Sequence, residues 1–422
     1  MVDVKSWDWE TREKVIEIGN WKDKFGWVEE PYASPDGEKI AAIVNMDEAE
    51  FSVCVNGEPW EAVFDKIWYL RFSPDGRLTA LVSDMGEWTV AVDGEAWENK
   101  FDYVWNTQFS LDGSSIAVSV QQDMKYCAAI NGKLWDKTFR NMTEMILSPE
   151  GNTTAAVVQT ADFGEANIPE FQKGAYTVAL DGKIWHSRFV NLWNPTLNPD
   201  GRKMAASVRL NLYDYTIAVD DRIWPKTYGC VWNPVFHPKR TAVMAPVRME
   251  GKWFLAEDGN RIWSRSFVQL WHHMYSSDGK RIAAIVAPKF GKWTVAVDGK
   301  PWSLKFKTMI TDAVFSPDGS RVAALGKEED IWSIIVDGKV WNNKAEMAWK
   351  PVFSPDSRVV AAKIERRGKY SFAFNDNLWP HECEAVWDPI FSPDGDKVLL
   401  RSIEDGKYSR RVVPVAELLG QT

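Results

Sequence analysis

Residues 68–101 read WYLRFSPDGRLTALVSDMGEWTVAVDGEAWENKF, and two turn signals divide the stretch. In Ser73-Pro74-Asp75-Gly76, Pro presets the first central position of a type I turn, Asp can bond the backbone ahead of it, and Gly takes the left-handed position that follows. Asp93-Gly94 between apolar runs is the strongest short hairpin signal. The stretch therefore predicts four strands, A to D, over 68–72, 78–83, 88–92 and 97–101.

Working outward, the first turn recurs ten times: SPDG at 34, 73, 316 and 392, with the variants SLDG at 110, SPEG at 148, NPDG at 198, HPKR at 237, SSDG at 276 and SPDS at 354. The spacing is 37 to 40 residues except for one step of 50 between 148 and 198. Half a period later comes a second anchor of the type VDGEAW, seen again as VNGEPW from Val55, INGKLW from Ile130 and VDGKVW from Val336. Four short strands in about 40 residues is the period of a propeller blade. The sequence thus predicts an all-β fold, a β-propeller of about ten four-stranded blades, closed by pairing of the N- and C-terminal strands. Ile18-Gly19-Asn20-Trp21 and Phe25 match the end of strand C and strand D, while 398–403 and 408–413 match strands B and C and lack a strand D. An exchanged strand leaves no open sheet edge. The expected organisation is an N-terminal extension over 1–13, a single propeller over 14–415 with an insertion near 160–174, and a tail over 416–422. Two smaller propellers in tandem would need a second pair of exchanged edges. Helical spacing appears only near 415–419.

The repeat also places the tryptophans. There are 24 Trp against 20 Phe and 11 Tyr, and 21 of them hold a repeat register. Ten follow the second turn, as Trp60, Trp97 and Trp302 do; seven lie five residues before the first anchor, as Trp68, Trp105 and Trp271 do; four open strand C. Strand B carries small pairs such as Ala41-Ala42 and Ala323-Ala324, so large residues on one sheet meet small ones on the next. Trp7, Trp9 and Trp27 alone fall off register.

Apolar residues at 45% and charged residues at 26% belong to a folded chain rather than a disordered one. A net charge of -9 disfavours a surface that recruits polyphosphate backbones, so no nucleic-acid partner is expected. The start lacks a signal-peptide pattern and no stretch free of Asp, Glu, Lys and Arg exceeds 12 residues. A cytoplasmic protein without a membrane span of its own is the expectation. Cys54, Cys127, Cys230 and Cys383 form no CxxC, and adjacent strand residues His272 and His273 point to opposite faces. No nucleophile elbow, P-loop or HExxH occurs, so the sequence predicts no catalytic, metal or cofactor residues.

Two features are candidates for binding. Four residues before each anchor stands a polar residue: Glu30, Tyr69, Asn106, Glu144, Asn194, Asn233, His272, Asp312, Lys350 and Asp388. Strand A is the innermost strand of a blade, so these residues would ring the mouth of a central channel, or else satisfy backbone at the entry turn. The long step is the second feature: it adds about 11 residues between strands B and C of the fourth blade, where Phe163, Ile168, Pro169 and Phe171 form a candidate partner loop.

The anchor motif SPDG followed by a small apolar strand resembles the WD40-like repeats of TolB-type propellers. This likeness is informative about fold and not about function. The Trp content, the register-locked GKxW hairpins and the length also resemble the TmcD family, the tryptophan-rich cytoplasmic components of the transmembrane redox complexes of sulfate-reducing bacteria. That resemblance implies a cytoplasmic, cofactor-free, non-enzymatic scaffold whose partners are other protein subunits: a multihaem cytochrome c, an iron–sulfur protein and an integral membrane cytochrome b. The alternatives are a hydrolase or lyase using Glu30, Glu144, Asp312 and Asp388, and a general peptide-binding propeller.

Overall fold

Strand B is the most apolar segment of each repeat, and it sits between two strands of its own sheet and between two neighbouring sheets. In the computed structural model, which describes residues 4–161 and 168–420, Leu78–Asp84 is buried along all but its last residue. It pairs antiparallel with strand A, Lys66–Phe72, and with strand C, Glu87–Val92, which in turn pairs with a two-residue strand D, Glu95–Ala96. Trp97 then leaves the ladder and Phe101 bridges back to Trp88. Ten such sheets follow one another, the ten blades of a β-propeller, numbered here in chain order. In blades 1, 6 and 9 strand A is broken in two, as in Trp27–Val28 and Tyr32–Ala33.

The chain divides into two compact units. The first is built mainly from Ala41–Ile262 with Phe25–Pro35 and holds most of blades 1 to 6. The second combines Trp263–Thr422 with Asp36–Ile40 and the N-terminal segment, and holds blades 7 to 10. In blade 10 the sheet runs Glu13–Glu17, Lys407–Pro414, Lys397–Glu404, Ala385–Phe391, so its strand D comes from the N-terminal segment. The exchanged strand lies earlier than 18–25, where the sequence places it. Trp21–Lys24 is a single helical turn, and the amides of Ile18 and Gly19 bond to the Gly406 carbonyl at 3.0 and 2.8 Å. Glu13–Glu17 alternates exposed and half-buried residues, the pattern of an edge strand, but no turn anchor precedes it.

The turns between strands C and D are of type I′, with both central residues left-handed: φ is 49° at Asp93 and 92° at Gly94, 46° at Asn131 and 79° at Gly132. The first turn residue does a second job. Asp93 Oδ1 accepts the Leu78 amide at 2.9 Å while its own amide donates to the Leu78 carbonyl at 2.7 Å, which ties the turn to the start of strand B. Asn131 with Ile116, Asp258 with Val243 and Asp337 with Val322 repeat this bond. At the first anchor a Ser hydroxyl donates to the Asp carboxylate, at 2.6 Å in Ser110–Asp112 and again in Ser276–Asp278. That hydroxyl, and then the amide of Ser114 or Lys280, holds Asp112 and Asp278 down at about 2.

A carboxylate depressed in the folded state stabilises it above the unfolded value near 4, and the contribution is lost as pH falls through about 2. The thermal midpoint is therefore expected to drop between pH 4 and 2, and Asp112→Asn with Asp278→Asn to make that drop shallower. Melts followed by circular dichroism across that range check this; a variant whose midpoint falls as steeply as that of the parent chain contradicts it.

Tryptophan packs the blades in two ways. In six blades the Trp after a C–D turn lies under the Gly of the next blade's C–D turn. A Cβ on Gly94 would stand 3.3 Å from Trp60 Cγ, and one on Gly338 would stand 3.2 Å from Trp302 Cγ. The Trp of strand A instead pairs within its own sheet with the aromatic opening strand C: Trp105 with Tyr126 at 5.9 Å, Trp193 with Tyr215 at 5.9 Å, Trp271 with Trp293 at 4.8 Å. These strand A residues are not uniformly core, since Trp68 is 69% exposed and Trp232 and Trp271 also meet solvent. The off-register residues have partners too, although Trp27 is half exposed. Trp7 and Trp9 stack on each other at 6.3 Å, Trp9 Nε1 donates to the Val4 carbonyl at 2.7 Å, and Trp27 meets Phe51 edge-on.

Candidate functional site

The polar position four residues before the anchor is a backbone device. Tyr69, Asn106, Glu144, Asn194, His272 and Asp312 all have positive φ, between 47° and 58°. At each the A–B register slips by one residue, for example between Trp68 and Arg71, Trp105 and Gln108, and Thr311 and Val314. This is a β-bulge with its extra residue left-handed, a conformation in which Asn and Asp are enriched and which β-branched residues avoid. Glu30, Asn233, Lys350 and Asp388 each precede a Pro. At the first three, strand A is interrupted instead. At Asp388 the strand continues through a bulge, and its carbonyl accepts Arg401 Nη2 at 2.8 Å.

What these side chains touch is mainly the next strand A. Asn106 Nδ2 and Gln108 Nε2 donate to the Met145 carbonyl at 2.9 and 2.6 Å, and Gln108 Oε1 accepts the Leu147 amide. Glu144 Oε2 accepts the Asn194 amide at 2.6 Å. Within the second unit His272 Nε2 lies 2.9 Å from the Ala313 carbonyl. The bulge frees backbone groups, and the polar side chain of a neighbouring blade satisfies them. Tyr69 instead lies beside Arg71, whose guanidinium is 4.6 Å from the Tyr69 ring and 4.3 Å from that of Tyr32. The sequence pattern that reveals such a bulge is Asn or Asp recurring in mid-strand, where neither is a strand former.

Other reactive groups are held quiet. His273 is buried and His272 is exposed. Burial pushes the thiols of Cys127 and Cys230 up. Burial, with the Glu404 carboxylate beside it, takes Cys383 up to about 12. Glu404 accepts Arg411 Nη1 at 2.6 Å and lies 3.3 Å from His381 Nδ1. A thiol so far from ionisation is no nucleophile at neutral pH. Among the described residues no three His, Cys, Asp or Glu side chains gather as metal ligands, and no helix is long and apolar enough to cross a membrane.

The insertion builds a concave surface. Ile168–Gln172 forms a short helix with no buried residue, carrying Pro169; Phe163 lies outside the described residues. Between this helix and the loop 211–214, which joins strands B and C of blade 5, runs a groove of about 650 Å³. Ile168, Phe171, Leu212 and Tyr213 line it and are all exposed, Ile168 at 65% and Tyr213 at 78%. Arg209 braces the far wall, donating to the carbonyls of Asn211 and Leu212 at 2.9 and 3.1 Å. Exposed apolar residues gathered on one concave surface are characteristic of interaction sites.

No known protein family matches the chain, and no curated protein matches it. Among solved structures it is similar to a crystal structure of the eukaryotic initiation factor, with 13% identity, a TM-score of 0.47, and coverage of 76% of this chain and 88% of that one. The Dos1 propeller gives 13% identity, a TM-score of 0.35 and coverage of 91% and 92%. TolB from Acinetobacter baumannii gives 14%, 0.30, and 74% and 79%.

Proposed function

We propose that this chain is a non-enzymatic scaffold that binds protein partners. The observation that carries the proposal is the groove beside the insertion helix: a solvent-facing surface on a β framework, lined by Ile168, Phe171, Leu212 and Tyr213 with Arg209 and Asp214 at its edge. The finer form of the proposal is that it is the cytoplasmic, cofactor-free component of a membrane-bound electron-transfer complex, held to the membrane by cytochrome and iron–sulfur subunits. The register-locked Trp content supports that form. The carboxylates Glu30, Glu144, Asp312 and Asp388 belong to bulges and strand breaks, and Glu144 is engaged by the Asn194 amide at 2.6 Å, which favours a scaffold over a hydrolase or lyase.

The test is affinity capture from native membranes with the parent chain and with Ile168→Asp plus Phe171→Asp. Both side chains are exposed, so the fold is expected to be unchanged. Cytochrome and iron–sulfur subunits should be recovered with the parent chain and fall at least tenfold with the variant. Recovery of no groove-dependent protein partner contradicts the scaffold proposal; recovery of a partner without redox subunits contradicts its finer form.

A further inference from the structure

Each of the first three blades carries a Met in or beside the turn between strands B and C: Met46, Met85 and Met124. In blade 2 the turn is Met85-Gly86, with φ of 51° and 84°; in blade 3 it is Asp123-Met124, with φ of 52° and 59°. Both are type I′ turns, whose left-handed positions call for Asn, Asp or Gly. The C–D turns of the same blades obey that rule with Asp93-Gly94 and Asn131-Gly132. Met85 and Met124 break it, and they are 88% and 81% exposed. An apolar side chain set on strained backbone and turned into water helps neither the turn nor the core. The tips are nonetheless held firmly. The amide of Met85 donates to Asp65 Oδ2 and that of Asp123 to Asp102 Oδ2, both at 2.8 Å.

Charge selects what these tips meet. Asp47, Glu48, Glu50, Asp84, Glu87 and Asp123 flank the three Met, against Lys125 at the start of the following strand C, Lys66, which pairs across from Ser83, and Lys100, which pairs with Asp84 at 3.1 Å. An acidic rim repels an anionic lipid surface, and two copies of it repel each other. Met is also the apolar side chain that adapts best to varied surfaces. We infer that the B–C turns of blades 1 to 3 dock onto a protein partner presenting apolar side chains edged by Lys and Arg. The inference rests on the chain being a partner-binding scaffold, but uses residues apart from the insertion groove.

The test is Met85→Asn with Met124→Asn, which removes the apolar side chains and gives the left-handed positions a residue that suits them. The probes are two helical peptides sharing a leucine face, one edged by Lys and one by Glu, titrated calorimetrically. The parent chain should bind the Lys-edged peptide, the Glu-edged peptide should bind at least tenfold more weakly, and the variant should lose at least tenfold for the Lys-edged peptide with its thermal midpoint unchanged or raised. Equal binding of both peptides, or a variant that binds as the parent does, overturns the inference. So does a Met-dependent self-association in sedimentation, which makes the occupant a second copy, or Met-dependent binding to phosphatidylserine vesicles, which makes it a membrane. Run alongside, Ile168→Asp plus Phe171→Asp separates the two sites. Loss of the Lys-edged peptide in that variant alone defeats this inference and leaves the groove standing. Loss in the Met variant alone supports the inference independently of the groove.

Discussion

Arg410→Met is expected to destabilise the attachment of the N-terminal strand by about 2–4 kcal/mol, the range for breaking a buried, hydrogen-bonded charge network. Arg410 is only 1% exposed and is surrounded by acceptors from two separate stretches of chain. Its Nε donates to the Asp36 carbonyl and pairs with Glu38 Oε1, both at 3.0 Å; Nη1 reaches the Thr11 carbonyl at 3.4 Å and Nη2 the Asp8 carbonyl. Removing the guanidinium leaves those carbonyls without their donor. Glu38 is not stranded, because Lys14 Nζ stays 2.7 Å away, and this keeps the cost below that of an orphaned buried carboxylate. In a repeat architecture such a loss is felt locally before it is felt globally. Hydrogen exchange followed by mass spectrometry should therefore show faster exchange in 13–17 and in Lys407–Pro414, with blades 2 to 5 unchanged. Uniform exchange across the chain, or none, would refute the account of Arg410 as the clasp of blade 10.

The repeat was legible in the sequence because its turns use residues with few other roles. Asp-Gly between apolar runs fixes a type I′ turn almost irrespective of surroundings, and every C–D turn so marked is present. The bulge residues were harder to read. Glu144 and His272 look like solvent-facing polar residues, and only the left-handed backbone, seen in the structure, shows that conformation and a neighbour's free amide or carbonyl select them. Trp presented a similar difficulty. Its register is visible in the sequence, but register does not tell a residue under the next blade, such as Trp60, from one at the rim, such as Trp68, because that depends on which face the strand turns to the neighbouring blade. The exchanged strand lies a few residues before the position its sequence suggests because Trp21 imitates the Trp that follows a C–D turn, while Glu13–Glu17 is an edge strand of ordinary composition. The groove was half visible: the insertion announced Ile168 and Phe171, but Leu212 and Tyr213 belong to an unremarked loop of the next blade, brought opposite only by the fold.

The larger effect is expected from Gly113→Ala, which should cost about 3 kcal/mol or more, whereas the same change at Gly76 should cost about 1 kcal/mol. Both glycines close a first-anchor turn with the same backbone, φ being 82° at Gly113 and 84° at Gly76, so the penalty for placing Ala in the left-handed region is common to both. Their surroundings differ. A Cβ at Gly76 would meet nothing within 4 Å, while one at Gly113 would stand 2.4 Å from the amide nitrogen of Asp75 and 2.8 Å from its Cγ. That neighbour is the backbone of the preceding blade's anchor turn, fixed by Pro74 and by Arg77, whose Nη2 donates to the Gly113 carbonyl at 2.6 Å. Rigid backbone cannot move aside as a side chain tip can, so blades 2 and 3 must separate or the turn must deform. The anchor glycine thus has two independent reasons to be glycine at 113 and one at 76. The difference between the two denaturant midpoints isolates the packing term from the conformational one. Equal midpoints for the two variants would show that the close approach of successive anchor turns contributes nothing to holding one blade against the next.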